Sequence, residues 1–205
     1  VEYLKGFGGN SKVDKKRLEE AFNPNQFAIS LSGEPTFYPR LPELIDEVKS
    51  RNMTAFLVTN GTNPEMLKKL VGKHEPTQLY ITLPAADEET YVKICNPLIK
   101  EGWNKLMESL SLLKEFSCKR AIRMTLVKGF NMKDVEKYAL LLNKIDFDYL
   151  ECKAYMWVGM SRSRMAIENM PRHEDIRKFS EELSKFGFKI IDEKKESRVV
   201  LLSKL

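Results

Sequence analysis

Residues 27–36 read Phe-Ala-Ile-Ser-Leu-Ser-Gly-Glu-Pro-Thr, a predicted strand that runs into a glycine and then into a carboxylate. Gly33 allows the chain to turn closely around a ligand, and Pro35 stiffens the turn that follows. Glu34 is therefore expected at the carboxyl end of the strand. In α/β folds ligands bind outside this end, where a carboxylate can accept hydrogen bonds from an ammonium group. A solvated glutamate in an ordinary turn is the alternative interpretation.

The rest of the chain alternates between strand-like and helix-like segments. Segments rich in β-branched and aromatic residues predict strands at 27–32, 54–59, 79–83, 120–127 and 149–156. Amphipathic segments between them predict helices at 39–51, 63–70, 102–115 and 132–145. Such alternation implies parallel strands joined by right-handed crossovers, in a doubly wound sheet or an α/β barrel. The tail predicts a further helix at 173–186 and a hairpin formed by 188–192 and 198–202.

Polar and apolar residues alternate along the predicted strands with a period of two. The polar face is predicted to carry Ser30, Ser32, Glu34, Thr59, Thr82, Arg123, Thr125, Glu151, Lys153 and Tyr155. The apolar face is predicted to carry Ile29, Leu31, Phe56, Val58, Ile81, Leu83, Ile122, Met124, Leu126, Cys152, Ala154 and Met156. A sheet covered by helices on both sides is apolar on both faces, so this pattern favours an open or partial barrel around a polar ligand. Hydroxyl groups tolerated in ordinary strands, with charges paired by neighbours, are the alternative explanation.

Composition indicates a globular protein outside the membrane. Of the 205 residues, 42% are hydrophobic and 31% are charged, and no apolar run approaches the roughly 20 residues that span a bilayer. The amino end shows no secretory signal, so we expect a cytoplasmic protein. The net charge of +5 suits a polyanionic partner without demanding one. Cys95, Cys118 and Cys152 lie too far apart for a metal cluster and are predicted to be buried apolar thiols.

A second group of polar residues follows the next two predicted strands. The second strand ends in Val58-Thr59-Asn60-Gly61-Thr62, and the third reads Tyr80-Ile81-Thr82-Leu83. Hydroxyl and amide groups collected at one rim suit the hydroxyls of a ribose. Asn60 and Gly61 also fit a plain tight turn, and that alternative stays open.

These segments resemble the radical S-adenosylmethionine superfamily, in which a strand-end Gly-Gly-Glu-like motif holds the amino group of the cofactor. Here the motif is Ser32-Gly33-Glu34-Pro35, with serine in place of the first glycine. The sequence is more closely similar to the tRNA 4-demethylwyosine synthase family over nearly the whole chain. The strings that carry this resemblance are SLSGEPTFYP (30–39), FLVTNGT (56–62), RMTLVKGFN (123–131), KAYMWVG (153–159) and NMPRH (169–173).

The resemblance implies a fold and an activity. The fold would be an α/β, partial (βα)6-type, TIM-like barrel whose first strand and cluster loop are missing, followed by a carboxy-terminal helix and hairpin. We expect a single domain over 1–205, with a helical segment at 1–26, the barrel core at 27–157 and an extension at 158–205. The implied activity is a lyase-type radical condensation of pyruvate-derived carbons with N1-methylguanosine in tRNA-Phe, which forms the wybutosine precursor 4-demethylwyosine. The implied cofactors are S-adenosylmethionine and a [4Fe-4S] cluster, and the implied partners are tRNA-Phe, pyruvate and an electron donor.

By the same resemblance, nine residues would bind the cofactor: Gly33, Glu34, Thr59, Asn60, Thr82, Arg123, Val127, Tyr155 and Met156. Gly33 and Glu34 would meet the methionine moiety, and Arg123 would lie near the carboxylate of that moiety. The hydroxyl and amide groups from the second and third strands would lie near the ribose or the carboxylate. Val127 and the backbone of residues 155–156 would flank the adenine.

The sequence departs from the superfamily in its cysteines. The Cys-x-x-x-Cys-x-x-Cys cluster motif, which follows the first barrel strand in the superfamily, is absent, and no other cysteine spacing replaces it. The first residue is not methionine. We therefore expect the cluster ligands and the first strand to lie in an amino-terminal portion outside this sequence, and we expect no metal ligand within it.

Side chains beyond the rim complete the predicted site. Lys153 is expected in the polar lumen, where the favoured interpretation is an ion pair with Glu151. Contact with a substrate anion, or a Schiff base with a ketone such as pyruvate, are the alternatives. Arg162 and Arg164, in the loop after the last strand, are predicted to contact RNA phosphates, unless that loop is merely basic and solvated. His173 is predicted to be an ordinary surface residue.

Two other functions remain open at this point. The chain could come from another radical S-adenosylmethionine enzyme, one that acts on a small molecule or a protein. It could also be a non-catalytic α/β module that binds RNA, because it contains no cluster ligands.

Overall fold

The computed structural model describes residues 2–31 and 33–205, so the predictions made for Ser32 lie outside the described residues. The strands found there are β1 (Gln26–Ile29), β2 (Thr54–Thr59), β3 (Gln78–Thr82), β4 (Lys119–Leu126), β5 (Tyr149–Ala154), β6 (Phe188–Lys194) and β7 (Val199–Lys204). The helices are α1 (Lys15–Phe22), α2 (Leu41–Ser50), α3 (Pro64–Leu70), α4 (Glu88–Cys95), α5 (Gly102–Ser111), α6 (Val135–Asn143) and α7 (His173–Ser184). Short 3-10 segments at Glu2–Gly9, Pro35–Phe37, Leu112–Glu115, Gly159–Ser163, Ile167–Asn169 and Lys195–Ser197 join them.

The strands form one sheet in the order β1-β2-β3-β4-β5-β7-β6. The first five strands are parallel, and each is hydrogen-bonded to its neighbour in sequence. A helix lies in each crossover between them. A doubly wound sheet reverses its strand order at a switch point, whereas a barrel keeps the strands in sequence order. The predicted partial barrel with five parallel strands is therefore confirmed, as is the hairpin, in which β7 pairs antiparallel with both β5 and β6.

The hydrophobic core lies on one face of the sheet. Alternate residues of the strands, among them Leu57, Ile81 and Met124, join the buried side chains of the helices in a single cluster. The same cluster contains Ile45 of α2 and Leu142 of α6. Because the helices cover this face, the strand residues that point the other way are free to face a ligand. Those residues include Tyr80, Thr82, Arg123, Thr125 and Lys153, which are half-buried.

The two faces of β2 are the reverse of the sequence prediction. Val58 is paired with Tyr80, and Thr59 is paired with Ile81, and paired residues of a parallel sheet point to the same side. Phe56 and Val58 therefore lie on the open face, while Thr59 lies on the helix-covered face. Thr59 tolerates burial there because its hydroxyl donates a hydrogen bond to the Glu34 carboxylate, 2.5 Å away.

Two predicted strands end earlier than expected. β1 stops at Ile29, and Leu31 has a φ of +84° and is 98% exposed, so it does not belong to an apolar strand face. β5 stops at Ala154, and Met156 is 43% exposed. In both places the chain leaves the sheet to form the rim where the predicted site lies.

The predicted burial of single residues was wrong where a helix was not predicted or where a contact between distant segments covers the residue. Helix α4 was not predicted, and Cys95, its last residue, is exposed instead of buried. Cys152 is buried as predicted, and Cys118 is intermediate. His173 is only 8% exposed, because its ring lies against the hairpin with Nε2 3.1 Å from the Glu193 carboxylate.

Gly61 is predicted to be irreplaceable by alanine at the end of β2. Its φ is +72°, and an added Cβ would lie 2.7 Å from Cδ1 of the fully buried Leu106. We expect Gly61→Ala to lower the free energy of unfolding by about 3 kcal/mol, from overpacking and the left-handed backbone together. Gly72→Ala is the control, since Gly72 has a φ of +69° with no atom within 4 Å of the added Cβ, and it should cost about 1 kcal/mol. Urea denaturation measures both values, and equal losses would contradict the packing argument.

Candidate cofactor-binding site

The carboxyl ends of the parallel strands bring most of the predicted site residues to one edge of the sheet. Those at or just beyond a strand end are Gly33, Glu34, Thr59, Asn60, Thr82, Val127, Tyr155 and Met156. Arg123 and Lys153 lie further down their strands, on the open face. Loops that begin at this edge form a rim, as the fold class leads one to expect.

Glu34 is the centre of a hydrogen-bond network that joins the end of β1 to the end of β2. Its Oε1 accepts hydrogen bonds from the backbone N–H of Thr36 at 3.1 Å and from the hydroxyls of Thr36 and Thr59 at 2.7 and 2.5 Å. Its Oε2 accepts the backbone N–H of Asn60 at 2.8 Å. Glu34 therefore connects the ends of the two strands through hydrogen bonds and is not a freely solvated side chain.

The network leaves room for one more donor. A carboxylate oxygen has two lone pairs, and Oε2 of Glu34 has a single protein donor within the described residues, so this oxygen can accept one more hydrogen bond. Gly33, with a φ of +77°, has no atom within 4 Å of the place that a Cβ would occupy, so the approach beside the carboxylate is open. Both observations fit the binding of an ammonium group at Glu34.

A cavity of about 490 Å³ lies next to this network, between the ends of β2 and β3 and helix α4. Asn60, Thr62, Thr82 and Asn96 contribute polar groups to it, and Tyr91 and Cys95 also line it. The Asn60 side-chain oxygen accepts hydrogen bonds from the backbone N–H and the hydroxyl of Thr62, at 2.9 and 2.6 Å. Asn60 thus forms the tight turn and lines the cavity at the same time. The volume is within the range of small-molecule sites.

Arg123 is bound to a carboxylate of the protein. Its Nε lies 2.7 Å from Oε1 of Glu151 and its Nη2 lies 3.3 Å from Oε2, and the guanidinium stacks 4.8 Å from the centre of the Tyr80 ring. Burial raises the pKa of the Tyr80 hydroxyl, as does the Glu151 charge, while Arg123 opposes them. Arg123 also lies beside Thr82, its partner in the register, and Thr82 lines the cavity.

The predicted ion pair between Lys153 and Glu151 is wrong. Glu151 lies directly opposite Arg123 in the parallel register, whereas Lys153 is two residues further along the same strand. A cross-strand neighbour is closer than a residue two positions away on one strand, and the planar arginine fork can hold both carboxylate oxygens. Within residues 2–31 and 33–205, no carboxylate lies within ion-pair distance of Lys153.

Asn131 organises the rim around β4, and the sequence analysis gave it no role. It is 2% exposed, and its side-chain oxygen accepts the backbone N–H of Val127 at 2.5 Å. Its amide group donates to the carbonyls of Pro84 and Thr125, both at 2.8 Å. The N–H of Val127 is therefore occupied, and that of Tyr155 donates to the Leu126 carbonyl at 2.9 Å. The only sequence feature that could have indicated this role is the position of the asparagine, directly after the Gly-Phe turn.

The loop that carries Arg162 and Arg164 is ordered by contacts within the loop and with helix α4. Arg162 stacks 4.8 Å from the Trp157 ring, and Nη2 of Arg164 donates to the carbonyl of Ile94 at 2.7 Å. The Tyr155 hydroxyl and the Trp157 indole N–H hold the loop from below, through Ser161 and the Met165 carbonyl at 2.8 Å each. Both arginines remain exposed.

A further cavity was not predicted. It measures about 870 Å³ and lies between the loop after β4 and the start of α7. Three basic and three acidic side chains line it: Lys128, Arg172, Arg198, Glu168, Glu174 and Asp175. These charges balance, and Lys128 is bound to Asp175 at 2.6 Å. This cavity shows no preference for one charge of ligand.

Neither a metal cluster nor a membrane span is found in the part of the chain that the structure describes. No three His, Cys, Asp or Glu side chains there converge on a point where a metal ion could bind. No helix in those residues has the length and apolar character to cross a bilayer.

Comparison with known proteins identifies a superfamily and several relatives of this chain. Residues 14–142 match the family model of the radical SAM superfamily, so the chain belongs to that superfamily. Residues 144–204 match the family model for wyosine base formation. The chain is 48% identical to the S-adenosyl-L-methionine-dependent tRNA 4-demethylwyosine synthase of Pyrococcus horikoshii, over 97% of this chain and 59% of that protein. For the enzyme of Methanocaldococcus jannaschii the identity is 40%, over 97% and 62%.

Solved structures agree with the sequence relatives. A structure of TYW1 with a lysine-pyruvate adduct bound matches with a TM-score of 0.88 and 38% identity, over 99% of this chain and 65% of that chain. A crystal structure of archaeal TYW1 matches with a TM-score of 0.82 and 36% identity, over the same shares. The resemblance noted in the sequence is confirmed, and the chain spans about three fifths of the length of these relatives.

Asn131 is predicted to be essential for the stability of the rim. We expect Asn131→Ala to cost about 3 kcal/mol of unfolding free energy, since it leaves buried backbone groups at three positions without partners. Asn131→Asp should cost at least as much at pH 7, because a carboxylate would face two carbonyls, and less at low pH, where the protonated acid can donate. Asn143→Ala is the control, since its exposed amide makes one 3.3 Å bond to the Phe186 carbonyl. Denaturant unfolding at several pH values measures all three, and a small effect of Asn131→Ala would show that the rim does not depend on this side chain.

Proposed function

We propose that this chain is the greater part of a tRNA 4-demethylwyosine synthase, which condenses pyruvate-derived carbons with N1-methylguanosine in tRNA-Phe. The observation that supports the proposal is that two family models match different strands of one continuous sheet. The radical SAM match covers β1 to β4, and the wyosine match covers β5 to β7, which complete the same open face. The named relatives match across both parts, over 97% of the chain. We expect the enzyme to work in the cytoplasm with an electron donor.

The cofactors of the proposed enzyme are S-adenosylmethionine and a [4Fe-4S] cluster. When bound, the two together would provide the chemistry that removes a hydrogen atom from the substrate. We assign no cluster ligand to this chain, which lacks the Cys-x-x-x-Cys-x-x-Cys motif.

The described residues fit the amino-acid end and the ribose of S-adenosylmethionine. Oε2 of Glu34 would accept a hydrogen bond from the cofactor ammonium group, and Gly33 leaves space for its approach. Thr59 would act by holding Glu34, because its hydroxyl already donates to that carboxylate. Asn60 and Thr82 would meet ribose hydroxyls, since both line the 490 Å³ cavity.

The remaining predicted contacts are those to the carboxylate and the adenine. Arg123 would bind the methionine carboxylate through the part of its guanidinium that Glu151 does not use. Val127, Tyr155 and Met156 would flank the adenine through van der Waals contact, because the backbone N–H groups of Val127 and Tyr155 already have protein partners.

Lys153 is the candidate in this chain for a contact with pyruvate. It is half-buried on the open face beside Thr125, with no carboxylate partner in the described ranges. A lysine-pyruvate adduct is bound in one of the TYW1 structures that this chain resembles. Lys153 could form such a Schiff base or hold the carboxylate of pyruvate as a cation, and these two roles have different outcomes in the test below.

The tRNA would reach the rim beside the loop of Arg162 and Arg164. Both side chains are exposed, Arg162 is held by the Trp157 ring and Arg164 by a carbonyl of α4, which favours contact with phosphate groups at a low entropic cost. The alternative functions, another radical SAM enzyme or a non-catalytic RNA-binding module, share the fold and are separated by experiment.

The activity is tested with the full-length protein after anaerobic reconstitution of its clusters. With a reductant, S-adenosylmethionine, tRNA-Phe carrying N1-methylguanosine and ¹³C-labelled pyruvate, we expect labelled 4-demethylwyosine by mass spectrometry. Cleavage of S-adenosylmethionine without a tRNA product would favour a different radical SAM enzyme. No cleavage with retained tRNA binding would favour the non-catalytic module.

Trapping with borohydride and pyruvate in the same preparation decides the role of Lys153. If Lys153 forms the Schiff base, peptide mapping places the label on it, and Lys153→Arg removes the label and the product. A label on another lysine would leave Lys153 as an anion contact. Lys153→Arg would then retain product formation better than Lys153→Gln.

The RNA contact predicts a salt-dependent loss of tRNA affinity. We expect the double variant Arg162→Ala/Arg164→Ala to bind tRNA about tenfold more weakly and to reduce the slope of log affinity against log salt by about one unit per lost phosphate contact. Arg51→Ala/Lys185→Ala is the control, since both are exposed cations three residues before the amino ends of β2 and β6, away from the rim. Unchanged affinity in the rim variant, measured by fluorescence anisotropy, would overturn the assignment of this loop.

A further inference from the structure

Glu151 is a buried carboxylate on the face of the sheet that no described helix covers. It is paired in the sheet register with Arg123 of β4, and Arg123 is paired in turn with Thr82 of β3. Both of its oxygens are bound by Arg123, at 2.7 and 3.3 Å. Buried ion pairs add little to stability on balance, so stability alone does not account for a charged pair at this position.

The guanidinium of Arg123 is held in one orientation but is not saturated. A guanidinium has five N–H donors in a fixed plane. Glu151 fixes two of its nitrogens, and the ring of Tyr80 supports its face at 4.8 Å. In the described part of the chain, Nη1 of Arg123 has no hydrogen-bond partner.

A second arginine pair on the same two strands shows what a purely structural pair looks like. At the amino ends of β4 and β5, Arg120 is bound to Asp148 through Nε and Nη2, at 3.2 and 2.8 Å. Its Nη1 is also occupied, by Asp146 at 2.8 Å and by the Leu113 carbonyl at 3.4 Å. All three nitrogens of Arg120 are therefore used within the protein, whereas Arg123 keeps one free at the open face.

We propose that Glu151 is a positioning residue, which holds Arg123 flat on Tyr80 so that its free nitrogen is available to the carboxylate of an amino-acid ligand. The neighbouring Thr82 lines the 490 Å³ cavity, which places this carboxylate site beside the proposed ribose site. The inference rests on the proposed S-adenosylmethionine site and adds to it a residue that does not touch the ligand. Loss of Glu151 would free the arginine side chain to adopt other rotamers and would weaken its contact with the ligand.

The test compares two ligands that differ in the amino-acid group. S-adenosylhomocysteine has the carboxylate, and 5′-methylthioadenosine has the same nucleoside without it. In the full-length protein, we expect Glu151→Gln to bind S-adenosylhomocysteine about tenfold more weakly, as the loss of one charged hydrogen bond implies. Its affinity for 5′-methylthioadenosine should be unchanged. Isothermal titration calorimetry measures both.

Variants at the two arginine pairs separate positioning from folding. Arg123→Lys should reproduce the selective loss, and Arg123→Lys/Glu151→Gln should be no worse than either single variant, because both remove one contact. Asp148→Asn breaks the matched pair at the other end of the strands and should leave both affinities unchanged. If Glu151→Gln fails to fold, Glu151→Asp keeps the charge on a shorter side chain and should show a smaller loss that is still selective.

The outcomes keep this inference distinct from the proposed function. An equal loss for both ligands in Glu151→Gln, or no loss for either, would overturn the positioning role while the cofactor site stands. A wild-type protein that binds neither ligand would overturn the cofactor site itself.

Discussion

The helices of the crossovers pack against a single face of the sheet, and the positions of the charged strand residues in the site depend on that constraint. The covered face is a continuous apolar cluster that includes residues from Ile29 of β1 to Leu202 of β7. Charged side chains in the middle of strands β4 and β5 can therefore lie only on the other face. Arg123, Glu151 and Lys153 do so, and this face and its rim are where a polar ligand fits without disturbing the core.

The rim is held together by hydrogen-bonded polar side chains that also define the site. Glu34 joins the ends of β1 and β2, and Asn131 joins the ends of β3 and β4. Each of them satisfies backbone groups that have no partner once the strands end. The charged groups left over for a ligand in the described residues are correspondingly few: one lone pair of Glu34, one nitrogen of Arg123, and the ammonium group of Lys153. A site with so few free groups favours a ligand that has both an ammonium and a carboxylate.

Strand periodicity and the order of elements could be predicted from the sequence. The bounds of β2 were correct, and those of β3, β4 and α3 were within one residue, because apolar residues recur with the period of each element. Gly33, Glu34, Asn60 and Thr82 were placed at one rim because parallel strands end at the same edge. Helix α4 was missed, since its apolar face is short, and the burial of Cys95 was then wrong.

The sequence by itself determined the class of fold and the edge of the sheet where ligands bind, since both follow from local periodicity and chain order. Only the tertiary structure decided which face Thr59 occupies, which carboxylate binds Arg123, and that His173 is buried under the hairpin. Each of these depends on register or on packing between segments distant in sequence. The partner of Glu151, for example, is set by the alignment of β4 with β5. The sequence around Lys153 does not determine this alignment.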